Sequence, residues 1–467
     1  MNWTDPIEKA AERRVTAPVA DRGAYGLRSP GLIVARAPRY TSYPPATRFT
    51  GDIGPRAFAS WLAAVPAAEP VSLYLHVPFC RRLCWFCAYR TQGTRSDAPI
   101  APYVDTLVHE IDLVAGHLPT GVRAGQIHLG GGTPTLLPPA LIARLGAALA
   151  EAVPPAPGAE LSVEIDPTVL DDARLDALAA IGMTRASIGV QDFDPAVQRA
   201  IGRAQSEAVT RRAVDGLRAR GVETINVDLL YGLPGQTPDG LARTLDAVVG
   251  MGATRLALYG YAHVPWLAKR QVMIDADTLP GATARMALFE AAEARLNAAG
   301  YARIGIDHFA RPGDPMHAAA SEGRLRRNFQ GYTTDRAQTL IGLGASSISR
   351  LPKGYAQNAP ATSEWSRAVR EGRLATSRGV ALTEDDRLRG AAIERFLCDL
   401  ALMPERLPDP GFGRRMARRL LVAWPEALTP LPGGGAMLRP EAHHLARLVA
   451  MDMDAYAAEP GRYSLAV

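Results

Sequence analysis

The chain has 467 residues, of which 47% are hydrophobic and 21% charged, and its formal net charge is +5. This balance excludes a disordered or fibrous protein, and the length is enough for two or three domains. Only three of the 52 basic residues are lysines, and the arginines are scattered among alanines. Because no basic run with interleaved aromatic residues occurs, we expect no nucleic-acid partner. The mildly basic balance favours an acidic small-molecule substrate.

The N-terminal region, residues 1–55, shows no sustained periodicity and is predicted to form an arm. Its first residues lack the charged-then-apolar order of a signal peptide. The longest stretch without charge, residues 124–143, is interrupted by a triple glycine and three prolines, so we expect no membrane span. A cytoplasmic protein is therefore expected.

Short apolar runs alternate with amphipathic helical stretches from about residue 70. The runs are Val71–Val77, Gln126–Leu129, Leu161–Ile165, Ala186–Val190, Ile225–Leu230 and Leu256–Tyr261. After the first run, the spacing of Val104, Leu107, Ile111 and Val114 is typical of a buried helix face. The alternation predicts βα units and a parallel sheet, either a partial or full barrel or a doubly wound sheet. Polar and glycine-rich motifs follow the runs, where parallel α/β folds place their chemistry.

Beyond about residue 350 the strand patterns fade into helical patterns rich in arginine, alanine and leucine. The predicted organisation is therefore an arm over residues 1–55, an α/β domain over 56–350 and a smaller, mostly helical domain over 351–467.

Three of the four cysteines, Cys80, Cys84 and Cys87, follow the first apolar run directly. This spacing can bring three thiolates around one metal centre. Iron–sulfur clusters normally take four cysteines, so three would leave one iron open to another ligand. A structural zinc site is the alternative, although zinc usually takes four protein ligands. The remaining cysteine, Cys398, lies in an apolar helical stretch and is predicted to be a buried core residue.

The CxxxCxxC pattern after the first strand of a predicted barrel resembles the radical S-adenosylmethionine superfamily. Further motifs, in order, resemble the oxygen-independent coproporphyrinogen III oxidase family over roughly residues 39–400. They are RYTSYP at 39–44, GGGTPT at 130–135, EIDP at 164–167, GVQDF at 189–193, DLLYGLP at 228–234, YAH at 261–263, DHFAR at 307–311 and NFQGYTT at 328–334. The resemblance implies a partial (β/α)6 barrel with an N-terminal arm and a mostly helical C-terminal domain.

The resemblance also implies the cofactors and the reaction. Cys80, Cys84 and Cys87 would hold a [4Fe–4S] cluster whose open iron binds S-adenosylmethionine. A low-potential electron donor would drive cleavage of the latter to methionine and a 5′-deoxyadenosyl radical. The implied substrate is the tetrapyrrole coproporphyrinogen III, which would be oxidatively decarboxylated to protoporphyrinogen IX in haem biosynthesis. A monomer is expected.

Candidate binding residues follow from the same resemblance. One S-adenosylmethionine would contact Tyr74, Gly131, Glu164 and Ile348. A second molecule would contact Phe86, Gly132, Thr133, Gln191, Arg203, Asp228 and Ala262. Arg39, Arg311 and Arg327 are candidates for binding the propionates, because a guanidinium binds a carboxylate at two points. The tyrosine-bearing arm would help to close the site.

The sequence departs from the family pattern at one position. Family members that oxidise porphyrinogens resemble one another in carrying a further cysteine two residues after the third, where this chain has Tyr89. No catalytic residue is therefore assigned. Two alternatives stay open: a radical enzyme that methylates or rearranges another substrate, and a haem chaperone. Relatives of the chaperone kind typically lack the 39–44 and 330–334 motifs that are present here.

Overall fold

This computed structural model describes residue 27, residues 30–457 and residues 463–466. About half of the predicted arm lies outside the described residues. This half includes the first residues, on which the expectation about a signal peptide was based.

Nineteen strands occur in the described part of the chain. They are β1 (Val71–Val77), β2 (Phe79–Cys80), β3 (Gln92–Gly93), β4 (Ala124–Gly131), β5 (Pro155–Ile165), β6 (Arg185–Gln191), β7 (Thr224–Tyr231), β8 (Arg255–Gly260), β9 (Ala302–Ile304), β10 (His308–Ala310), β11 (Arg326–Asn328), β12 (Gly331–Thr333), β13 (Leu340–Leu343), β14 (Ile348–Leu351), β15 (Gly354–Asn358), β16 (Thr376–Ala381), β17 (Ala401–Leu402), β18 (Leu428–Leu431) and β19 (Gly435–Leu438).

Helices separate most of these strands. They are α1 (Pro30–Ile33), α2 (Pro55–Leu62), α3 (Ile100–Ala115), α4 (Pro139–Ala152), α5 (Asp172–Ala180), α6 (Pro195–Ala200), α7 (Glu207–Arg218), α8 (Pro238–Gly250), α9 (Ala282–Ala298), α10 (Pro315–Ser321), α11 (Thr362–Arg370), α12 (Glu384–Asp399), α13 (Pro410–Ala423) and α14 (Ala446–Met451). Among the described residues, none of these helices combines the length and apolarity that crossing a bilayer requires.

The main sheet has twelve strands in the order β16-β15-β14-β13-β1-β4-β5-β6-β7-β8-β10-β9. The central strands, from β13 to β8, pair in parallel. The six predicted apolar runs lie in β1 and β4–β8, with Tyr261 alone beyond its strand, which confirms the βα alternation and the parallel sheet. The strands are rich in buried valine, leucine and isoleucine because helices cover the sheet. On α3, Val104, Leu107 and Ile111 are buried in this core as their spacing predicted.

The sheet continues past residue 350, where the sequence predicted that strands fade. The antiparallel strands β14, β15 and β16 extend it as far as Ala381. Strand β15 is buried although it contains Gln357 and Asn358. These amides are satisfied by hydrogen bonds, from Gln357 Nε2 to Ser346 O (2.9 Å) and from Asn358 Nδ2 to Glu110 Oε1 (2.6 Å). Because hydrogen bonds satisfy its polar side chains, this strand can be buried without an apolar run in its sequence. The sequence therefore did not predict this extension of the sheet.

The remaining C-terminal part packs α12, α13 and α14 with a three-stranded sheet, β17-β19-β18, around its own apolar core. The described part of the arm joins this core, with Tyr40 and Tyr43 buried in it. Arg447 of α14 donates to Pro38 O (3.0 Å), and Tyr43 Oη accepts a hydrogen bond from the amide of Ala455 (2.9 Å). The arm tyrosines therefore anchor the arm to the C-terminal part.

Candidate active site

The predicted site residues gather where the parallel strands end. Tyr74 lies on β1, Gly131 ends β4, Glu164 lies near the end of β5, and Gln191 ends β6. Strand β7 contributes Asp228, whose register partner on β6 is Gly189. Because the strands are parallel, their carboxyl ends share one edge of the sheet, and these side chains form a polar rim there.

The cysteine loop leaves β1 at this same edge. Cys80 belongs to β2, which pairs with β3, and its carbonyl accepts a hydrogen bond from the amide of Thr94 (2.9 Å). The amide of Trp85 donates to Ile201 O (2.9 Å), which fixes the middle of the loop. The three cysteines are free thiols, with Cys84 buried and the other two half-buried. Burial raises the pKa of the Cys80 thiol to about 11 and also raises the pKa of Cys87.

The three thiols of the loop lie near one another, because Cys87 and Cys84 both add to the effect of burial in raising the pKa of Cys80. Within the described ranges, no three His, Cys, Asp or Glu side chains converge closely enough to hold one metal ion. Iron–sulfur clusters normally take four cysteines, so three thiols in one loop fit a cluster that keeps one iron open.

Arg203 supplies positive charge beside the cysteine loop. Its Nη1 lies 3.5 Å from Cys84 Sγ, and its Nη2 donates to Gly189 O (2.6 Å) and Gln205 Oε1 (2.8 Å). Its Nε is buried and has no hydrogen-bond partner in the described structure. A buried guanidinium with an unsatisfied donor is suited to an anionic group, such as the carboxylate of an amino acid.

The triple glycine at the end of β4 packs closely against neighbouring side chains and against the backbone that leads into the cysteine loop. Gly131 has φ +114°, and a Cβ atom built on it would lie 2.5 Å from the His76 ring. A Cβ on Gly132 would lie 2.6 Å from Phe79 O. Only glycine permits these approaches, so the end of β4 presents bare backbone at the site. Thr133 follows and acts to lower the pKa of the Cys80 thiol against the effect of burial.

Glu164 is held as an anion at the rim. Its carboxylate accepts from the amide of Gly131 (2.9 Å) and lies 3.3 Å from His128 Nε2. Burial alone would raise its pKa, but the hydrogen bonds with His128 and Gly131 lower the pKa below its ordinary value. The ring of Tyr74 stacks on His128 at 5.8 Å, so β1, β4 and β5 share one polar network. A fixed carboxylate of this kind can hold ribose hydroxyls or an ammonium group.

Asp228 and Gln191 complete the rim on the other side. Asp228 accepts hydrogen bonds from Asn226 Nδ2 (2.8 Å) and Ser187 Oγ (3.0 Å). Its pKa is raised, mainly by burial and also by the negative charge of the nearby Glu164. Gln191 has φ +70°, a left-handed conformation that is unusual for a residue other than glycine. The register shifts at this point, between Gly189 and Gln191. Strained backbone of this kind is concentrated at functional sites.

The arginine candidates separate into two groups. Arg39 Nη2 donates to Gly260 O (2.7 Å) at the carboxyl end of β8, and Arg327 Nη2 donates to Arg39 O (3.0 Å). Arg327 Nη1 is buried without a hydrogen-bond partner among the described residues. Arg311 instead lies at the opposite end of β8, where its amide donates to Thr254 O (3.0 Å) and its guanidinium lies over Tyr301. The structure therefore keeps Arg39 and Arg327 as candidates and places Arg311 away from the rim.

Comparison with known proteins decides the family. Residues 74–248 match the radical SAM superfamily. A protein of Paracoccus denitrificans (strain Pd 1222) named oxygen-independent coproporphyrinogen III oxidase is 50% identical over 443 residues, which cover 94% of this chain and 98% of that protein. The chain belongs to the oxygen-independent coproporphyrinogen III oxidase family. The cofactors of this family are a [4Fe–4S] cluster and S-adenosylmethionine.

More distant members of the oxidase family also match over most of this chain. The Escherichia coli (strain K12) protein of the same name is 38% identical over 435 residues, covering 91% of this chain and 94% of that protein. The solved structure of coproporphyrinogen III oxidase from Escherichia coli, a radical SAM enzyme, superposes with a TM-score of 0.84 at 37% identity. It covers 90% of this chain and 97% of that one. The partial barrel is therefore the fold that this oxidase family uses.

The sequence missed one residue that organises the site of this oxidase family member. Gln271 is buried, and its Nε2 donates to Phe86 O (2.8 Å) and to Ala262 O (3.1 Å). It joins two predicted binding residues that are 176 positions apart. Its Oε1 accepts from the amide of Val264 (2.5 Å). Nothing in the local sequence marks a glutamine that works through backbone carbonyls.

Ile348 and Tyr89 complete the predicted set. Ile348 begins β14 beside Gly342, which is the register partner of Tyr74. The side chain of Tyr89 is 69% exposed, yet its pKa is raised, because surrounding protein desolvates the phenol and because Glu164 and Asp228 lie near it. Tyr89 therefore lies near the carboxylates of the rim, with its ring open to solvent.

Proposed function

We propose that this chain catalyses the oxygen-independent oxidative decarboxylation of coproporphyrinogen III to protoporphyrinogen IX. The observation that carries the proposal is the three-cysteine loop beside a polar rim, in a chain that matches oxidases of this name over almost their whole length. Each of two propionates would lose a hydrogen atom from its β-carbon, carbon dioxide, and one further electron that passes to a separate one-electron acceptor, leaving a vinyl group. A cluster held by three thiolates requires a reducing compartment, which supports placement in the cytoplasm.

The chain's own residues would hold and orient the cofactors. When bound, the cluster and S-adenosylmethionine supply a 5′-deoxyadenosyl radical that removes the hydrogen atom. Cys80, Cys84 and Cys87 would ligate the cluster. Arg203, with its unsatisfied Nε between the cluster loop and β6, would bind a carboxylate.

Two S-adenosylmethionine positions are proposed from the two sides of the rim. The first has Tyr74, Gly131, Glu164 and Ile348 around the β1–β4–β5 network. The second has Phe86, Gly132, Thr133, Gln191, Arg203, Asp228 and Ala262, of which Phe86 and Ala262 are tied together by Gln271. The fixed carboxylate of Glu164 supports the first position and the buried Arg203 supports the second.

The substrate carboxylates would bind to Arg39 and Arg327. Arg39 and Arg327 lie together at the end of β8. The pKa of the neighbouring Asp307 is lowered mainly by its hydrogen bond with His308 and further by the charges of these two arginines. Their positive field suits a tetracarboxylate. Tyr89 would stand between this field and the cofactor rim, in contact with the substrate ring system. A monomer and a low-potential electron donor remain predictions.

Anaerobic turnover with product identification tests the proposal. With dithionite, S-adenosylmethionine and coproporphyrinogen III, we expect protoporphyrinogen IX and one 5′-deoxyadenosine for each carbon dioxide released. Tyr89→Cys and Tyr89→Phe variants run alongside would show whether the phenol is required. Formation of 5′-deoxyadenosine without carbon dioxide release would overturn the substrate assignment and favour a radical enzyme for another substrate.

A further inference from the structure

Exposed large apolar side chains are concentrated beside the cysteine loop. Those of the described residues are Tyr89, Trp266, Leu267, Val272, Met273, Val422 and Met437. Four of them, Trp266, Leu267, Val272 and Met273, belong to one stretch of eight residues, here named the apolar segment (residues 266–273). Leu267 is 76% exposed and Met273 57%. Water-exposed apolar groups gathered in this way mark an interaction surface.

The apolar segment is fastened to the loop that carries the cluster ligands. Gln271, within the segment, donates to Phe86 O, the residue before Cys87. Arg270 Nη2 donates to Thr91 O (3.0 Å) and Thr91 Oγ1 (2.7 Å), on the other side of that cysteine. A partner seated on the segment would therefore lie directly outside the cluster-binding loop.

The surroundings of the apolar segment are basic on balance. Residues 80–97 and 262–278 contain three acidic side chains, namely Asp97, which pairs with Arg81, and the exposed Asp275 and Asp277. The exposed basic residues of these two stretches are Arg81, Arg82, Arg90, Arg95 and Lys269. A small apolar centre with a charged rim is the composition of transient interfaces, including those of electron-transfer partners. The rim charge selects a partner with an acidic face.

We propose that the apolar segment docks a small acidic protein that carries single electrons at low potential. The proposal rests on the proposed function, because that function needs an electron delivered at the cysteine loop. In each encounter the carrier is oxidised by one electron and the iron–sulfur cluster is reduced by one electron. The exposed side chains bring the carrier close to the loop, and the arginines and Lys269 steer its approach.

The test uses a reduced flavodoxin as the carrier and dithionite as a small reductant that needs no docking. The double variant Leu267→Gln/Met273→Gln removes the apolar surface without changing charge. The matched control is Val422→Gln/Met437→Gln, which alters two exposed apolar residues of the C-terminal part. Binding of oxidised flavodoxin is measured by calorimetry, and formation of 5′-deoxyadenosine is measured with each reductant.

We expect the segment variant to raise the Kd for flavodoxin at least tenfold and to lower the flavodoxin-driven rate at limiting carrier by a similar factor. Its dithionite-driven rate should stay within twofold of the unaltered protein, and the control variant should match that protein in every measurement. Unchanged flavodoxin binding by the segment variant would overturn the proposal, as would an equal loss with dithionite. If the unaltered protein makes no 5′-deoxyadenosine with dithionite, the proposed function fails instead, and the binding measurement still decides the docking surface.

Discussion

At the scale of single residues, two arginines that were both candidates for binding the propionates lie in different places. Arg327 lies with Arg39 near the end of β8, whereas Arg311 lies at the beginning of that strand. The sequence alone could not separate them, because β10 runs antiparallel to β8 and carries Arg311 away from the rim. Position along a paired strand, which depends on non-local register, decides which guanidinium can meet a substrate.

This difference predicts the behaviour of two matched variants. Arg327→Met should raise the KM for coproporphyrinogen III at least tenfold, about 1.4 kcal/mol, because a charge-assisted contact with a carboxylate is lost. Formation of 5′-deoxyadenosine without substrate should stay unchanged. Arg311→Met should leave the KM unaltered. Equal effects of the two substitutions on KM would contradict the assignment.

At the scale of elements, the sequence predicted the central strands and the cysteine loop because both have strong local signals. Buried parallel strands are continuous apolar runs, and three cysteines within eight residues have few structural explanations. Gln271 was not predictable as an organiser of the site, because its role depends on backbone carbonyls brought from distant segments. Gln191 was predicted as a site residue from its motif, but its left-handed conformation was not. Gly131 and Gly132 lie between these cases, because their place in the site was predicted but their close contacts with His76 and Phe79 were not.

Gly132 gives a test at this scale. A methyl group on it would lie 2.6 Å from Phe79 O and 2.7 Å from the Pro78 carbonyl carbon, and backbone atoms cannot move aside cheaply. Gly132→Ala should therefore lower the free energy of unfolding by roughly 1–3 kcal/mol and reduce the iron content after reconstitution. Denaturant unfolding and iron analysis measure both effects.

Gly250→Ala is the control, because a Cβ atom there meets nothing within 4 Å. Its unfolding free energy should be unchanged or slightly raised. If Gly132→Ala behaves like this control in both measurements, the tight packing of the glycines against the cysteine loop is not needed for the site.

At the scale of the whole molecule, the barrel is joined to its added strands by a buried carboxyl group. Glu110 of α3 accepts from the amide of Gly344 (2.6 Å) and from Asn358 Nδ2 (2.6 Å). Burial raises the pKa of Glu110 to about 7 despite these hydrogen bonds. The polar character of this junction explains why the sequence placed the end of the sheet too early.

The raised pKa predicts a pH dependence of stability. Between the unfolded pKa and about pH 7 the folded protein keeps a proton that the unfolded chain has lost, so stability falls as pH rises through this window. The contribution is about 3 kcal/mol at most. Glu110→Gln should flatten the decline in unfolding free energy between pH 5 and 8, whereas the exposed Glu151→Gln should not. A decline of the same slope in Glu110→Gln would contradict this role.

The most direct test of the whole account is electron paramagnetic resonance of the reduced, anaerobically reconstituted protein, recorded before and after addition of S-adenosylmethionine. We predict a four-iron signal that changes on addition, because three thiolates leave one iron open. The signal should disappear when Cys80, Cys84 and Cys87 are all replaced by alanine, and should persist in Cys398→Ala. Full iron loading in the triple variant, or a signal indifferent to S-adenosylmethionine, would contradict the account.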